Sequence, residues 1–277
     1  NRMASGTIEL YLNAINNIID VCSAGCQVKD VKYHHIESLK AYQSHLADDT
    51  LNMKLRAINT FFVWLYDNEK IPKMPKVKKL PIGRKRPSYY SAEEFDLVQD
   101  HVDNELYRRA YILYRDTGLR LFEVFKSTIS KTGLIISCGR TKNSYERTME
   151  LNEEQMSIVK NMRAWVKHRV DNKESTERCA VKHFSRMWSD TCKKLGLKKR
   201  KMHNLRHTFG VMEWLRTGDI YLVCKKMGHS SVTTTEIYAK FEHSELREDF
   251  PIEACRLEGV GQIMKDSQAT NYNYGKA

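Results

Sequence analysis

The sequence predicts a mainly α-helical chain in two domains, with one small antiparallel β-hairpin in the second. Three observations carry this. Apolar residues recur at helical spacing along most of the chain, four of the five prolines fall in one short stretch, and the helical period breaks clearly between residues 132 and 152. A chain of 277 residues is long enough to bury two cores.

Taken in order, residues 5–22 place Ile8, Leu12, Ile15 and Ile19 on one helical stripe, with Ser5 or Thr7 available as a cap. A second helix is read through residues 34–47. A third begins near Thr50, where Leu51, Leu55, Ile58, Phe62 and Leu65 share a face. These three make a helical unit over residues 1–69. Pro72, Pro75, Pro81 and Pro87 then mark residues 70–89 as an extended, stiff linker, because proline cannot continue a helix and biases its predecessor to extended geometry. Beyond it, Ser91 and Glu94 form a capping box at the head of a helix, and another helix runs through residues 106–118. The stretch 132–152, with its Leu-Ile-Ile run, polar middle and Met149/Leu151 alternation, reads as the hairpin. Helices resume over 153–170, 180–197 and 203–218, completing a domain over 90–250. Residues 251–277 read as a weakly patterned tail, and 242–262 as a candidate segment for docking on a neighbouring protomer.

The bulk properties narrow the class. No apolar run approaches the roughly 18 residues of a membrane helix, and no secretory pattern is present. Seven scattered cysteines, with Cys22 and Cys26 the only close pair and no partner pair at zinc spacing, read as reduced thiols of an intracellular protein. The formal charge is +12, and its distribution is uneven. Residues 1–69 hold six basic against eight acidic side chains, whereas Lys70–Arg86 holds eight basic residues and no acid. Lys73, Lys76, Lys78, Lys79, Arg84, Lys85 and Arg86 suit a segment lying along a phosphate backbone, since each cation there releases condensed counterions. Lys198, Lys199 and Arg200 lie in a second basic patch, Lys193–Lys201.

Four pieces of the second domain carry candidate chemistry. "DTGLRLFEV" sets Arg120 after a glycine turn, with Glu123 one helical turn on. "GRTKNSYER" sets Lys142 in the hairpin's polar middle, with Lys131 and Arg140 near enough to be rivals. "HNLRHTFG" supplies His203 and Arg206 on one helix face, and "GHSSVTTTEIY" supplies His229 and Tyr238. A metal centre built on His203, His207 and His229 is a poor alternative, because Arg206 sits between the first two and would repel a cation. Two guanidiniums match the non-bridging oxygens of a phosphate, the lysine and histidines move protons, and the tyrosine offers a nucleophilic oxygen. No carboxylate cluster suited to Mg²⁺ accompanies them. The set is a kit for metal-free attack on a phosphodiester.

Here the sequence resembles the tyrosine recombinase (phage integrase) family over nearly its whole length. The resemblance rests on "TGLRLFE", "GRTK", "HNLRHTF" and "MGHSSVTTTEIYAK", with 23 residues from Arg206 to His229 and nine from His229 to Tyr238. It implies a two-domain, C-shaped DNA clamp, with residues 1–69 as the core-binding domain and 90–250 as the catalytic domain. It implies site-specific recombination of double-stranded DNA through a 3′-phosphotyrosyl intermediate at Tyr238, without metal, nucleotide or other cofactor, by a tetramer assembled on DNA. Arg120 and Arg206 would then hold the phosphate, Lys142 protonate the leaving 5′-oxygen, His203 accept the tyrosine proton, and His229 hydrogen-bond the phosphate or a leaving oxygen. Glu123 is either an orienting carboxylate or an ordinary helix-surface one. A type IB topoisomerase, a non-catalytic DNA-binding regulator and a metal-dependent nuclease are the competing readings.

Overall fold

In the computed structural model, residues 5–23, 25–83, 86–137, 146–197 and 200–251 are described. The chain divides into two compact units, Asn1–Lys85 and Arg86–Ala277. Among the described residues no helix is long and apolar enough to cross a membrane.

The first unit contains α1 (Ser5–Val21), α2 (Tyr33–Tyr42) and α3 (Asp48–Asp67). Helix α3 follows the predicted stripe, with Leu51, Leu55, Ile58 and Phe62 buried and Leu65 packed beside them. Helix α1 does not. Its core residues are Ala14 and Ile18, flanked by Tyr11 and Val21, while Ile8, Leu12 and Ile19 are exposed. The reason is steric: α1 packs on both α2 and α3, and small Ala14 lets the helices approach where the stripe of larger residues would hold them apart. Residues 71–80 fold back onto this unit as well. Ile71 is buried, Val77 and Leu80 pack on the core, and the Asn52 side chain both donates to and accepts from the Leu80 backbone at 2.9 and 2.8 Å. Lys73, Lys76, Lys78 and Lys79 stay exposed.

The second unit opens on α4 (Ala92–Asp100), capped by the predicted Ser91–Glu94 box, and on α5 (Glu105–Thr117), which Gly118 ends in the left-handed region. A short α6 (Glu123–Lys126) precedes a three-stranded antiparallel sheet: β1 (Thr128–Ile129), β2 (Gly133–Ile136) and β3 (Arg147–Glu150). The predicted hairpin is β2–β3, in register from Gly133↔Glu150 to Ile136↔Arg147; the two-residue β1 is too short to leave a period in the sequence. Helices α7 (Glu153–Asp171), α8 (Glu177–Lys194), α9 (His203–Thr217), α10 (Ile220–Met227) and α11 (His243–Asp249) follow. One core gathers Tyr90, Tyr111, Phe184 and Trp188; a second gathers Val211, Val223, Met227, Tyr238 and Leu246. Within the candidate docking segment, α11 packs on its own unit: Leu246 and Phe250 are buried, Glu245 pairs with Arg86 at 3.0 Å, and Asp249 accepts from the Tyr89 hydroxyl. The rest of that segment lies outside the described residues.

Candidate active site

Arg120 sits in the loop between α5 and α6, and that loop is pinned at several points. Gly118 donates its N–H to the Tyr114 carbonyl, and the Tyr114 hydroxyl donates to the Leu121 carbonyl at 2.9 Å. From α7, Arg163 donates to the carbonyls of Val124 and Ser127 at 2.8 and 2.6 Å, which fixes the α6–β1 corner. Within this frame Glu123 is an orienting carboxylate. It accepts from the Arg120 N–H at 2.8 Å, from Arg120 Nη1 at 2.7 Å and from Arg147 Nη2 at 2.9 Å. Arg147, at the start of β3, also donates to the Lys226 carbonyl at 3.1 Å. Its guanidinium occupies the space beside Gly228, where a Cβ would lie 2.0 Å from Arg147 Nη1. Gly228 is at φ +62°, so both the backbone and this neighbour require glycine there.

Helix α9 supplies the second arginine. Arg206 is buried and donates to the carbonyls of Gly118 and Met227, both at 2.5 Å, so it ties the Arg120 loop to the end of α10. His203, at the helix head, is exposed, and its ring meets that of His207 at a centroid separation of 5.1 Å. Past Gly228 the chain forms a 3₁₀ turn and further turns rather than an α-helix. His229 shares a 2.8 Å hydrogen bond with the fully buried Thr235 hydroxyl, and the Tyr238 N–H donates to the Thr235 carbonyl at 2.9 Å. Thr235 therefore couples the histidine to the tyrosine mechanically.

Tyr238 is 1% exposed. Its ring lies against Gly210, where a Cβ would come within 2.7 Å of Cζ, and its hydroxyl bonds His207 Nδ1 at 2.8 Å. The partner of the nucleophile candidate is thus His207, a residue considered in the sequence only as a metal ligand, and not His203. An open cavity of about 1370 Å³ is lined by Arg120, Glu123, Arg147, Lys225, Lys226 and His229; Tyr238 is not one of its lining residues.

The electrostatics are those of an anion site. Burial, then Arg120, depress Arg206 to about 10, which leaves it protonated at neutral pH. Burial, then Arg206, Arg120 and Arg147, hold His229 at about 4. Burial, then His203 and Arg206, hold His207 at about 4; His203 has an exposed edge, yet the desolvation of its ring on the protein side, followed by Arg206 and Arg120, lowers it too. Glu123 ionises below its usual range because Arg147 and Arg120 outweigh the opposing effect of its burial. Arg120 and Arg147 share the Glu123 carboxylate, and Arg206 lies near enough to feel all three charges, an excess of positive charge that a phosphate would neutralise.

Of the sequence-predicted residues, the structure brings Arg120, Glu123, His203, Arg206, His229 and Tyr238 into one neighbourhood. Lys142 and its rival Arg140 lie outside the described residues, as do Arg84, Lys85, Lys198 and Lys199. Arg86 pairs with Glu245, and Arg200 pairs with Glu94 at 2.8 Å over the Tyr90 ring. Arg147, His207 and Thr235 are additional members. His207 stands in the same "LRHTF" box as Arg206, so its i+4 position to His203 was a signal. Arg147 and Thr235 had none, because their roles depend on contacts across 24 and six residues.

The profile of the phage integrase family matches residues 92–245, more than half of the chain. The chain belongs to that family. Curated proteins similar to it include the tyrosine recombinase XerC of Caldanaerobacter subterraneus subsp. tengcongensis, 27% identical over 251 residues, covering 80% of this chain and 70% of the relative. The tyrosine recombinase XerA of Saccharolobus solfataricus is 24% identical over 272 residues, covering 89% and 86%. The fold is shared with XerH site-specific recombinase bound to its difH substrate (TM-score 0.63, 18% identity, 87% of this chain and 78% of that one). It is also shared with a lambda integrase dimer bound to a COC′ core site (TM-score 0.63, 15% identity, 85% and 89%). This phage integrase family member is a tyrosine recombinase, a site-specific DNA strand transferase.

Proposed function

We propose that Tyr238 is the nucleophile of this recombinase, attacking a phosphodiester of double-stranded DNA seated on Arg120 and Arg206. The observation that carries the proposal is the anion site itself: Arg120 and Arg147 paired with Glu123, Arg206 bonded to the carbonyl of Gly118 in the Arg120 loop, and His229 and Tyr238 joined through Thr235. In the attack, the bond from the Tyr238 oxygen to phosphorus forms and the bond from phosphorus to the 5′-oxygen breaks. The phenolic proton passes to His203, Lys142 supplies a proton to the departing 5′-oxygen, and His229 hydrogen-bonds the phosphate. Guanidiniums aimed at developing negative charge contribute typically about 2.7–4 kcal/mol each to lowering such a barrier. The phosphotyrosyl bond conserves the energy of the phosphodiester, so a partner strand's 5′-hydroxyl reverses the step without a nucleotide.

The buried tyrosine is a resting arrangement. Moving a proton from a phenol of ordinary pKa, about 10, to a base held near 4 costs about 8 kcal/mol, and burial raises the Tyr238 hydroxyl further. His207 therefore holds the hydroxyl rather than activating it, and Tyr238 must leave this slot to reach a phosphate in the cavity. Exposed Lys73, Lys76, Lys78 and Lys79 are proposed to meet the DNA backbone. Exchange between two duplexes makes four strand cleavages, hence a tetramer on DNA.

The test is a suicide DNA substrate with wild-type protein in chelator. A covalent adduct that survives denaturation and maps to Tyr238 is expected, and Tyr238→Phe should bind DNA without forming it. An adduct mapping to Tyr221, or persisting in Tyr238→Phe, overturns the assignment. Lys142→Ala should fail on an ordinary phosphodiester and recover on a 5′-bridging phosphorothioate, whose leaving group needs no proton.

A further inference from the structure

We infer that the first unit carries a structural site for a thiophilic divalent cation, zinc being the best match, built from Cys22, Cys26 and His35. Their ligand atoms lie within 4.8 Å of one another, and all three residues are half-buried. The cluster draws on three local structures. Cys22 follows the last turn of α1, its N–H bonded to the Ile19 carbonyl. Cys26 ends a turn closed by its own N–H to the Ser23 carbonyl, with Gly25 at φ +84° making the reversal. His35 stands in the first turn of α2. Cys22 and Cys26 also pack on the hydrophobic core, so the thiols are placed by the fold rather than free to drift.

The donor chemistry selects the ion. Two thiolates and an imidazole are soft-to-borderline ligands that favour zinc over calcium or magnesium, and two thiolates neutralise a divalent charge at a half-buried site. The fourth position of a tetrahedral ion falls to water or to an added ligand. His35 must rearrange locally. Its Nδ1 now accepts the Lys32 N–H at 3.0 Å, closing the cap of α2. Coordination through Nδ1 uses that lone pair directly. Coordination through Nε2 puts the ring proton on Nδ1, facing the Lys32 N–H. Either way the cap bond is replaced by the metal bond, a small loss beside the free energy of a two-thiolate zinc complex. The gain is a staple joining the end of α1 to the start of α2 in a small helical unit, the kind of domain whose core benefits most from one. The ion would be held by residues of the first unit alone, and none of them belongs to the proposed phosphoryl chemistry.

The experiment uses the full chain, free of affinity-tag histidines and reduced with a non-thiol phosphine. After dialysis against zinc and removal of excess, about one zinc per chain is expected by elemental analysis. Cobalt substituted for zinc should give the thiolate-to-metal charge-transfer band and strong visible bands of a four-coordinate site. Cys22→Ser and Cys26→Ser should each weaken binding by about tenfold or more, His35→Ala likewise, and the exposed Cys179→Ser not at all. Because a serine variant can fail to fold, wild-type protein supplies the second readout: zinc should slow alkylation of Cys22 and Cys26 and leave Cys179 unchanged. Zinc well below one equivalent, full loading retained in Cys22→Ser, equal alkylation with and without zinc, or a Cys22–Cys26 disulfide in the reduced preparation would each overturn the site. Loading is measured without DNA, so its failure leaves the strand-transfer reading intact.

Discussion

Replacing Glu123 by glutamine tests the electrostatic frame of the active site. The carboxylate accepts three hydrogen bonds, two from Arg120 and one from Arg147. Its side chain is 13% exposed and that of Arg147 15%, whereas Arg120 is 46% exposed. The Arg120 ion pair is therefore largely screened and contributes under about 1 kcal/mol. The Arg147 pair is shielded from water, and removing one partner of such a pair costs roughly 3–5 kcal/mol. The amide keeps the shape and one acceptor, so the lower end, about 3 kcal/mol, is expected. For a unit of this size that corresponds to a Tm lowered by roughly 6–12 °C, measurable by calorimetry as a shift of the second unit's transition. The pH dependence supplies an internal check. The folded pKa of Glu123 is depressed, so its stabilisation is present above the unfolded value near 4.5 and is lost as pH falls through the lower folded value. Wild type and Glu123→Gln should thus converge in acid. A Tm change below about 1 °C at neutral pH, or a difference that persists undiminished in acid, would refute the reasoning.

The remaining predictions follow from single contacts. His207 and His229 have folded pKa values depressed to about 4, so the unfolded chain takes up protons first. Their contribution to stability should hold above about pH 6.5, fall as pH drops toward about 4 and level below, and His207→Gln should remove about one proton from the slope in denaturant titrations over that range. Gly228→Ala should displace Arg147 and weaken DNA cleavage in the suicide-substrate assay, because the new Cβ meets the guanidinium at 2.0 Å and the backbone is left-handed. Ser91→Ala removes the acceptor of the Glu94 N–H and should cost about 1 kcal/mol by chemical denaturation, with strand cleavage unchanged.

Much of this protein was legible before any coordinates. Arg120, His203, Arg206, His229 and Tyr238 were singled out by residue type, since a phosphodiester suits planar cations, proton carriers and an oxygen nucleophile, and by motifs whose order and spacing resemble the tyrosine recombinase family. The Ser91 cap, the α3 stripe and the β2–β3 hairpin were also readable, being set by neighbours within a few residues. What the sequence misassigned was directional. The Ile8–Leu12–Ile19 stripe of α1 is periodic yet exposed, since a helix packed on two partners buries the face that permits close approach, here Ala14 and Ile18.

The sequence by itself determined which groups can do the chemistry and the order in which they occur, because those follow from side-chain type and short-range spacing. Only the tertiary structure decided their partners. It placed Arg147 on Glu123 across 24 residues, seated Arg206 between two carbonyls 109 positions apart in the chain (118 and 227), and tucked the Tyr238 hydroxyl against His207. Those contacts bring residues together through packing of α5, α9 and α10, and long-range packing leaves no local period to read.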